Sequence, residues 1–140
     1  MREQAINRLQ EHGIRPSEQR IVIMEYLLSH RTHPTVDAIY KALSPKMPTL
    51  SRTTVYNTLK LLEENKAILE LSIDKRNSHY DGDTSRHSHF ICRECGKIID
   101  IAEQNNTMAC ESYEASYIIE ETEIYYRGLC KDCIEKNKTN

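Results

Sequence analysis

Two pairs of cysteines constrain the possible folds of this chain more than any other feature. Cys92 and Cys95 form one C-x-x-C pair, and Cys130 and Cys133 form a second. Together they supply the four thiolates of a tetrahedral zinc site, in which no coordination position is left open for catalysis. Apolar residues make up only 39% of the 140 residues, so a metal cross-link would help a small core. We therefore predict a structural zinc ion that joins two turns of the C-terminal half.

The two halves of the chain differ in charge. Residues 1–78 contain 12 basic and 9 acidic residues, a net +3, whereas residues 79–140 contain 7 and 12, a net −5. This asymmetry favours an N-terminal half that contacts a polyanion and a C-terminal half that binds cations. No apolar stretch approaches the roughly 20 residues of a membrane span, and the N-terminus lacks a signal sequence. We expect a cytoplasmic protein with no membrane contact, in which paired cysteines are metal ligands rather than disulfides.

Helical spacing of apolar residues characterises the first half of the chain. It predicts helices over 2–12, from Ser17, after Thr35 and from Ser51 or Thr53. The period then changes to two, which predicts a hairpin with strands 68–73 and 78–80. Helices followed by such a hairpin are typical of a winged helix-turn-helix. The overall prediction is an α+β chain with a winged-helix domain over 1–80, a hinge over 81–86 and a metal-binding domain over 87–140.

Short strands and turns dominate the predicted C-terminal domain. Its pattern predicts a strand over 87–91, a metal-binding turn over 92–97 and a strand over 98–101. A helix near 103–115 follows, then one or two strands across 117–127 and a second cysteine turn. Residues 136–140 are expected to form a frayed tail. Cys110, the fifth cysteine, lies in the predicted helix, where a small packed side chain is the simplest interpretation.

A second set of potential metal ligands lies beside the first cysteine pair. His87 and His89 are two residues apart on a predicted strand, so both imidazoles project to one face, and Asp100 would return opposite them. Asp81 lies just upstream, and His33 lies far away in sequence. Imidazole and carboxylate without thiolate favour Fe(II), Mn(II) or Zn(II), and two carboxylates favour iron or manganese. Spacing alone leaves solvated polar residues as an equal alternative, with His79 and Asp83 as competing ligands.

The fourth predicted helix has the composition of a DNA-recognition helix. An amphipathic helix with a solvated polar face is the more common explanation for such a pattern. Its position after two helices and before a hairpin favours a helix that lies in the major groove instead. The residues expected to contact DNA from this helix are Ser51, Arg52, Thr53, Thr54, Tyr56, Asn57 and Lys60.

These motifs together resemble the Fur family of metalloregulators, and within it the PerR-like peroxide-sensing branch. The resemblance covers nearly the whole chain. It is carried by the segments 13–20, 33–40 and 53–56, and above all by the run 87–100, His-Ser-His-Phe-Ile-Cys-Arg-Glu-Cys-Gly-Lys-Ile-Ile-Asp. It implies a homodimeric transcriptional repressor rather than an enzyme, with a winged-helix domain, a hinge and a C-terminal α/β dimerisation domain. The implied partner is double-stranded DNA with a palindromic operator.

The resemblance also assigns ligands. It implies structural zinc on the four paired cysteines and a DNA contact by Arg15. Both acidic positions are Asp, as in the peroxide sensors, whereas iron sensors tend to carry Glu. Thr122 stands where iron sensors often have a further His. The implied regulatory site for Fe(II) or Mn(II) comprises His33, Asp81, His87, His89 and Asp100.

Peroxide sensing is the function that this resemblance implies. Fe(II) would promote oxidation of His33 and His87, and Mn(II) would act as a corepressor that does not respond to peroxide. The alternatives are an iron- or zinc-uptake regulator of the same family and, more distantly, a zinc-ribbon protein-interaction module. A zinc deaminase is excluded, because it requires His-x-Glu and Pro-Cys-x-x-Cys, whereas Phe90 and Ile91 follow His89 and Ile91 precedes Cys92.

Overall fold

The computed structural model describes residues 1–85, 87–102 and 116–138. The chain divides into two compact units, Met1–Thr84 and Ser85–Asn140. The predicted helix over 103–115, with Cys110, lies outside the described residues. Among the described residues, no helix is both long enough and apolar enough to cross a membrane.

Four helices build the N-terminal unit, and hydroxyl side chains determine where three of them begin. Ser17, Thr35 and Ser51 each accept a hydrogen bond from the backbone N–H three residues later, which satisfies a donor that the helix leaves free. These three residues cap the helices at the positions predicted from the sequence. The helices are α1 (Arg2–Glu11), α2 (Glu18–Ser29), α3 (Val36–Leu43) and α4 (Arg52–Glu64).

One apolar core holds these helices together. Each helix buries one apolar stripe, and the core is closed by Ile68, just before the unit's hairpin, and by Tyr80 within it. Burial of each large aliphatic side chain contributes about 1.5–3 kcal/mol to folding. Because α4 directs its apolar stripe into this core, its polar side chains are left for solvent or a ligand. The fully buried residues of the four helices include Leu9, Ile23, Met24, Ile39, Val55, Leu59 and Leu62.

A two-stranded hairpin completes the N-terminal unit. β1 (Leu69–Leu71) pairs antiparallel with β2 (His79–Asp81), with Leu69 opposite Asp81. β1 is shorter than the predicted strand 68–73, and β2 has the predicted length but is shifted by one residue, so that Asp81, predicted in the hinge, is its last residue. The helices and this wing form the winged helix-turn-helix that the sequence predicted.

A three-stranded sheet and one helix form the described part of the C-terminal unit. The strands are β3 (His87–Cys92), β4 (Ile98–Ala102) and β5 (Tyr125–Gly128), in the order β4-β3-β5. β3 pairs antiparallel with β4, as predicted, and parallel with β5. The last element is α5 (Lys131–Lys138).

The prediction of a frayed tail is wrong for residues 136–138, which belong to α5. Asp132 lies in the first turn of that helix, and Lys136 and Lys138 lie in its last turn. These charges complement the helix dipole and stabilise a short helix that has little apolar content. The second cysteine pair therefore lies at a helix N-terminus rather than in a simple turn.

Gly82 is expected to be intolerant of a side chain. An added Cβ would lie 2.9 Å from the Leu27 carbonyl oxygen, and the Gly82 carbonyl accepts a 2.8 Å hydrogen bond from Arg8 Nη1. Because both partners hold the backbone in place, Gly82→Ala is expected to lower the free energy of unfolding by about 1–3 kcal/mol. Urea denaturation followed by circular dichroism measures this. Thr84→Ala, at an exposed neighbouring position, is the control, and equal midpoints for both variants would refute the steric argument.

Candidate metal centres

The four paired cysteines converge in the C-terminal unit. Cys92 ends β3, and Cys95 lies in the turn to β4, whose Gly96 adopts a left-handed φ of 77°. Cys130 immediately precedes α5, and Cys133 lies in its first turn. The tight turn closes because the Gly96 N–H donates to the Cys92 carbonyl at 2.9 Å. A strand end, a turn and a helix N-terminus thus present four thiols to one point.

The spacing of the sulfur atoms fits a tetrahedral ion. All four Sγ atoms lie within 4.8 Å of one another, and Cys95 Sγ lies 3.7 Å from Cys130 Sγ. Zinc–thiolate bonds of about 2.3 Å place the sulfurs of a tetrahedral site about 3.8 Å apart. A disulfide requires about 2.05 Å between its sulfurs. The donor set therefore matches structural zinc in both chemistry and dimensions.

Backbone amides favour the thiolate form of Cys92, which is the form that binds a metal. The N–H groups of Cys95 and Cys130 donate to Cys92 Sγ and lower the pKa of that thiol to about 6. Burial has the opposite effect on Cys133, where it raises the pKa of the thiol. A buried thiol that resists ionisation would be stabilised as a thiolate by a bound cation, because a metal displaces the proton.

In the N-terminal unit, His33 and Asp81 form a buried pair. His33 Nε2 lies 3.5 Å from Asp81 Oδ2, and both side chains are only 3% exposed. His33 lies in the loop before α3 with a left-handed φ of 55°, and Asp81 ends β2. A carboxylate buried this deeply is costly unless a cation or hydrogen bonds compensate it. We refer to His33 and Asp81 as the N-terminal pair.

Short-range contacts orient the Asp81 carboxylate. Its Oδ1 accepts a 2.9 Å hydrogen bond from the backbone N–H of Asp83, which leaves Oδ2 directed at His33. Asp83 in turn forms an ion pair of 2.9 Å with Arg31, two residues before His33. One carboxylate oxygen is therefore held by the backbone while the other faces the imidazole.

In the C-terminal unit, His87, His89 and Asp100 form a second group, here called the C-terminal trio. His89 lies directly opposite Asp100 in the β3–β4 register. His87 Nε2 and His89 Nε2 each lie 3.3 Å from the same atom, Asp100 Oδ1. Nδ1 of His87 donates to the Ser85 carbonyl at 2.7 Å, so its other ring nitrogen, Nε2, is the one that lies beside Asp100. This arrangement is typical of metal-binding histidines, in which the second ring nitrogen donates to a carbonyl.

The predicted DNA-contacting residues differ in their surroundings. Arg15, Ser51, Thr53, Tyr56, Asn57 and Lys60 are exposed, whereas Thr54 is half-buried. Arg52 is exposed but tethered: its Nε donates to Asp37 Oδ1 at 3.0 Å, and its guanidinium lies 4.4 Å from the centre of the Tyr40 ring. The exposed side chains give the N-terminal half of α4 one polar face.

His79 and Asp83, the two residues predicted as competing metal ligands, contact other groups. His79 contacts the His33 carbonyl and the Asp74 carboxylate through its two ring nitrogens, and Asp83 pairs with Arg31. Both support the N-terminal pair from outside. Sequence reasoning missed this supporting role because no local pattern connects His79 to a loop 46 residues away.

These features define a winged-helix protein with a Cys₄ metal site and histidine–carboxylate groups in each unit. Residues 11–127 match the Ferric uptake regulator family, and the chain belongs to this family. Members of the family are transcriptional regulators.

Relatives and solved structures give further similarity. The chain is 36% identical, over 136 residues, to the Peroxide-responsive repressor PerR of Staphylococcus aureus (strain Mu50 / ATCC 700699), covering 96% of this chain and 92% of the relative. The structure is similar to that of the Helicobacter pylori ferric uptake regulator Fur, with a TM-score of 0.73 and 26% identity over 96% of this chain and 94% of the other. It is also similar to PerR from Streptococcus pyogenes, with a TM-score of 0.53 and 33% identity over 94% and 92%.

Proposed function

We propose that this chain is a metal-dependent, DNA-binding transcriptional repressor that responds to peroxide. The observation that carries the proposal is the convergence of His87 Nε2 and His89 Nε2 on Asp100 Oδ1. A set of imidazole and carboxylate donors without thiolate suits Fe(II) or Mn(II). The 36% identity to a peroxide-responsive repressor supports the peroxide response.

In this proposal the N-terminal pair and the C-terminal trio bind one regulatory ion together. Because the five ligands belong to both units, binding favours the conformation in which all five are engaged. Zinc on the four cysteines has a separate, structural role. The regulatory ion thus controls a conformational equilibrium, while zinc maintains the fold of the C-terminal unit.

DNA binding is assigned to the exposed face of α4. Family members are DNA-binding dimeric repressors. In a homodimer of this chain, the two α4 helices would enter major grooves at half-sites of a palindromic operator roughly one helical turn apart. Tyr56 is 50% exposed on this face, and the free N–H groups at the start of the helix favour a phosphate. The tether to Asp37 makes Arg52 a less direct DNA contact than its neighbours.

The peroxide response is assigned to His33 and His87. Bound Fe(II) would supply the one-electron chemistry that activates peroxide, which Mn(II) performs poorly. In the net reaction the C2–H of an imidazole becomes C2=O with a proton on the adjacent nitrogen, while one peroxide is reduced to water. A 2-oxo-histidine binds metal less well, so the regulatory ion and then the operator would be released.

Mass spectrometry tests this proposal. Zinc-loaded protein is loaded with Fe(II) or Mn(II), treated with a small excess of peroxide and digested with trypsin. We expect one added oxygen on the peptides 32–41 and 87–93, which contain His33 and His87, only in the iron sample. Fragmentation locates the oxygen within 87–93, which also contains His89. Histidines 12 and 30, on separate peptides, are internal controls.

A reversible metal-uptake regulator is the second candidate. It is favoured by the TM-score of 0.73 to the Helicobacter pylori ferric uptake regulator, against 0.53 to PerR from Streptococcus pyogenes. Unmodified histidines in both samples, together with metal-dependent operator binding, would reject peroxide sensing and select this candidate.

A further inference from the structure

The imidazole of His79 lies between two hydrogen-bond acceptors. Its Nδ1 is 2.6 Å from the backbone carbonyl of His33, and its Nε2 is 3.1 Å from Asp74 Oδ2. The pKa of the Asp74 carboxyl is lowered because the Arg76 amide and the His79 ring both donate to it. The Asp74 oxygen is therefore an acceptor, as the carbonyl always is. Because a carbonyl can only accept, the His79 ring donates to the loop from Nδ1, and its Nε2 contacts Asp74.

The carbonyl that His79 contacts belongs to a residue with an unfavourable backbone conformation. His33 has a φ of 55°, a region that costs a residue with a side chain roughly 1 kcal/mol or more. Such a conformation persists only where neighbouring contacts hold it. A second contact lies beside the first, since the Tyr80 N–H donates to the Pro34 carbonyl at 2.9 Å.

Consecutive residues of β2 thus engage the loop that carries His33. His79 binds it through its ring, Tyr80 through its backbone N–H, and Asp81 faces the His33 imidazole. The ring of His79 is the one contact among these three that a side-chain substitution removes without touching the N-terminal pair itself.

We propose that His79 is a positioning residue: its Nδ1–H holds the His33 carbonyl and thereby sets the direction in which the His33 imidazole meets Asp81 and a metal ion. The metal part of this inference rests on the proposed function. The contact with Asp74 has a subordinate role, since it orients the His79 ring so that Nδ1 faces the loop.

Two near-isosteric substitutions separate these contacts. The amide nitrogen of Asn can occupy the position of Nδ1, so His79→Asn keeps a donor to the His33 carbonyl and loses the one to Asp74. The amide nitrogen of Gln can occupy the position of Nε2, so His79→Gln keeps a donor to Asp74 and loses the one to the loop. The two variants are matched controls for each other.

The full-length, zinc-loaded chain is compared with both variants in two measurements. Hydrogen exchange at the Tyr80 amide, without regulatory metal, reports the contact between β2 and the loop. Electron paramagnetic resonance of free Mn(II) gives the affinity of the regulatory site. We expect His79→Asn to stay within about twofold of wild type, and His79→Gln to show about tenfold faster exchange and about tenfold weaker Mn(II) binding.

The difference between the variants decides the inference. Equal behaviour of the two, or a larger effect of His79→Asn, would overturn it, because a general structural role does not depend on which donor is lost. Failure of wild type to bind Mn(II) beyond its zinc would refute the proposed function instead. In that case the exchange of the Tyr80 amide still determines whether His79 holds the loop.

Discussion

Loss of zinc is expected to unfold the C-terminal unit, and Cys92→Ser should have this effect. The apolar cluster among that unit's described residues consists of Cys92, Cys130 and Cys133, with Phe90 and Leu129 packed against it. The metal site therefore occupies the place that a hydrophobic core has in other small units. Structural zinc in comparable small sites contributes about 10–16 kcal/mol of apparent binding free energy, which these few side chains cannot replace.

Elemental analysis and hydrogen exchange across 87–102 measure this effect. The variant should contain less than one zinc per chain and lose protection throughout β3 and β4. The N-terminal unit has a separate core between Ala5 and Tyr80 and should keep its protection. Cys110→Ser, outside both C-x-x-C pairs, is the matched control and should retain zinc. Full protection of the sheet in Cys92→Ser would show that the metal is not what holds this unit together.

Substitution of His33 is expected to abolish metal-dependent DNA binding while zinc and fold are retained. His33→Ala removes one imidazole of the proposed regulatory site, and loss of a ligand should weaken Mn(II) binding by at least about 100-fold. Without the ion, nothing favours the conformation that binds the operator. His33→Asn is a second variant, since Asn tolerates the left-handed backbone better than Ala does.

Fluorescence anisotropy with an operator duplex at a fixed Mn(II) concentration measures the result. His30→Ala is the matched control, because His30 is an exposed histidine three residues away that stacks on Tyr26. It should bind DNA as wild type does. Wild-type operator affinity of both His33 variants at the fixed Mn(II) concentration that just saturates wild type would refute the coupling between this residue and DNA binding.

Local chemistry made much of the fold predictable. Ser17, Thr35 and Ser51 mark helix starts because a side-chain hydroxyl satisfies the same free N–H in any context. The hairpin that places His89 opposite Asp100 follows from a C-x-x-C turn with a glycine. The convergence of four cysteines was likewise predictable, because few other environments suit two such pairs.

Contacts between distant residues were not predictable in this way. The parallel pairing of β3 with β5 joins His89 to Tyr125, and no periodic pattern specifies that partner. The hydrogen bond between His79 and the His33 carbonyl depends on the left-handed backbone of His33, which no local sequence pattern predicts. Helix α5 was missed because its stabilisation comes from end charges and from Cys133 at the metal site rather than from an apolar stripe.

Because side chains alternate along β3, the strand keeps the histidines of one candidate metal site apart from a cysteine of the other. His87 and His89 lie on one face of the strand. Cys92, three residues after His89, lies on the opposite face. One inserted or deleted residue between His89 and Cys92 would bring a thiolate onto the imidazole face, where it would favour a different ion and react with oxidant. Over evolutionary time this short stretch should therefore accept many substitutions but few changes in length, because parity rather than residue identity keeps the two sites apart.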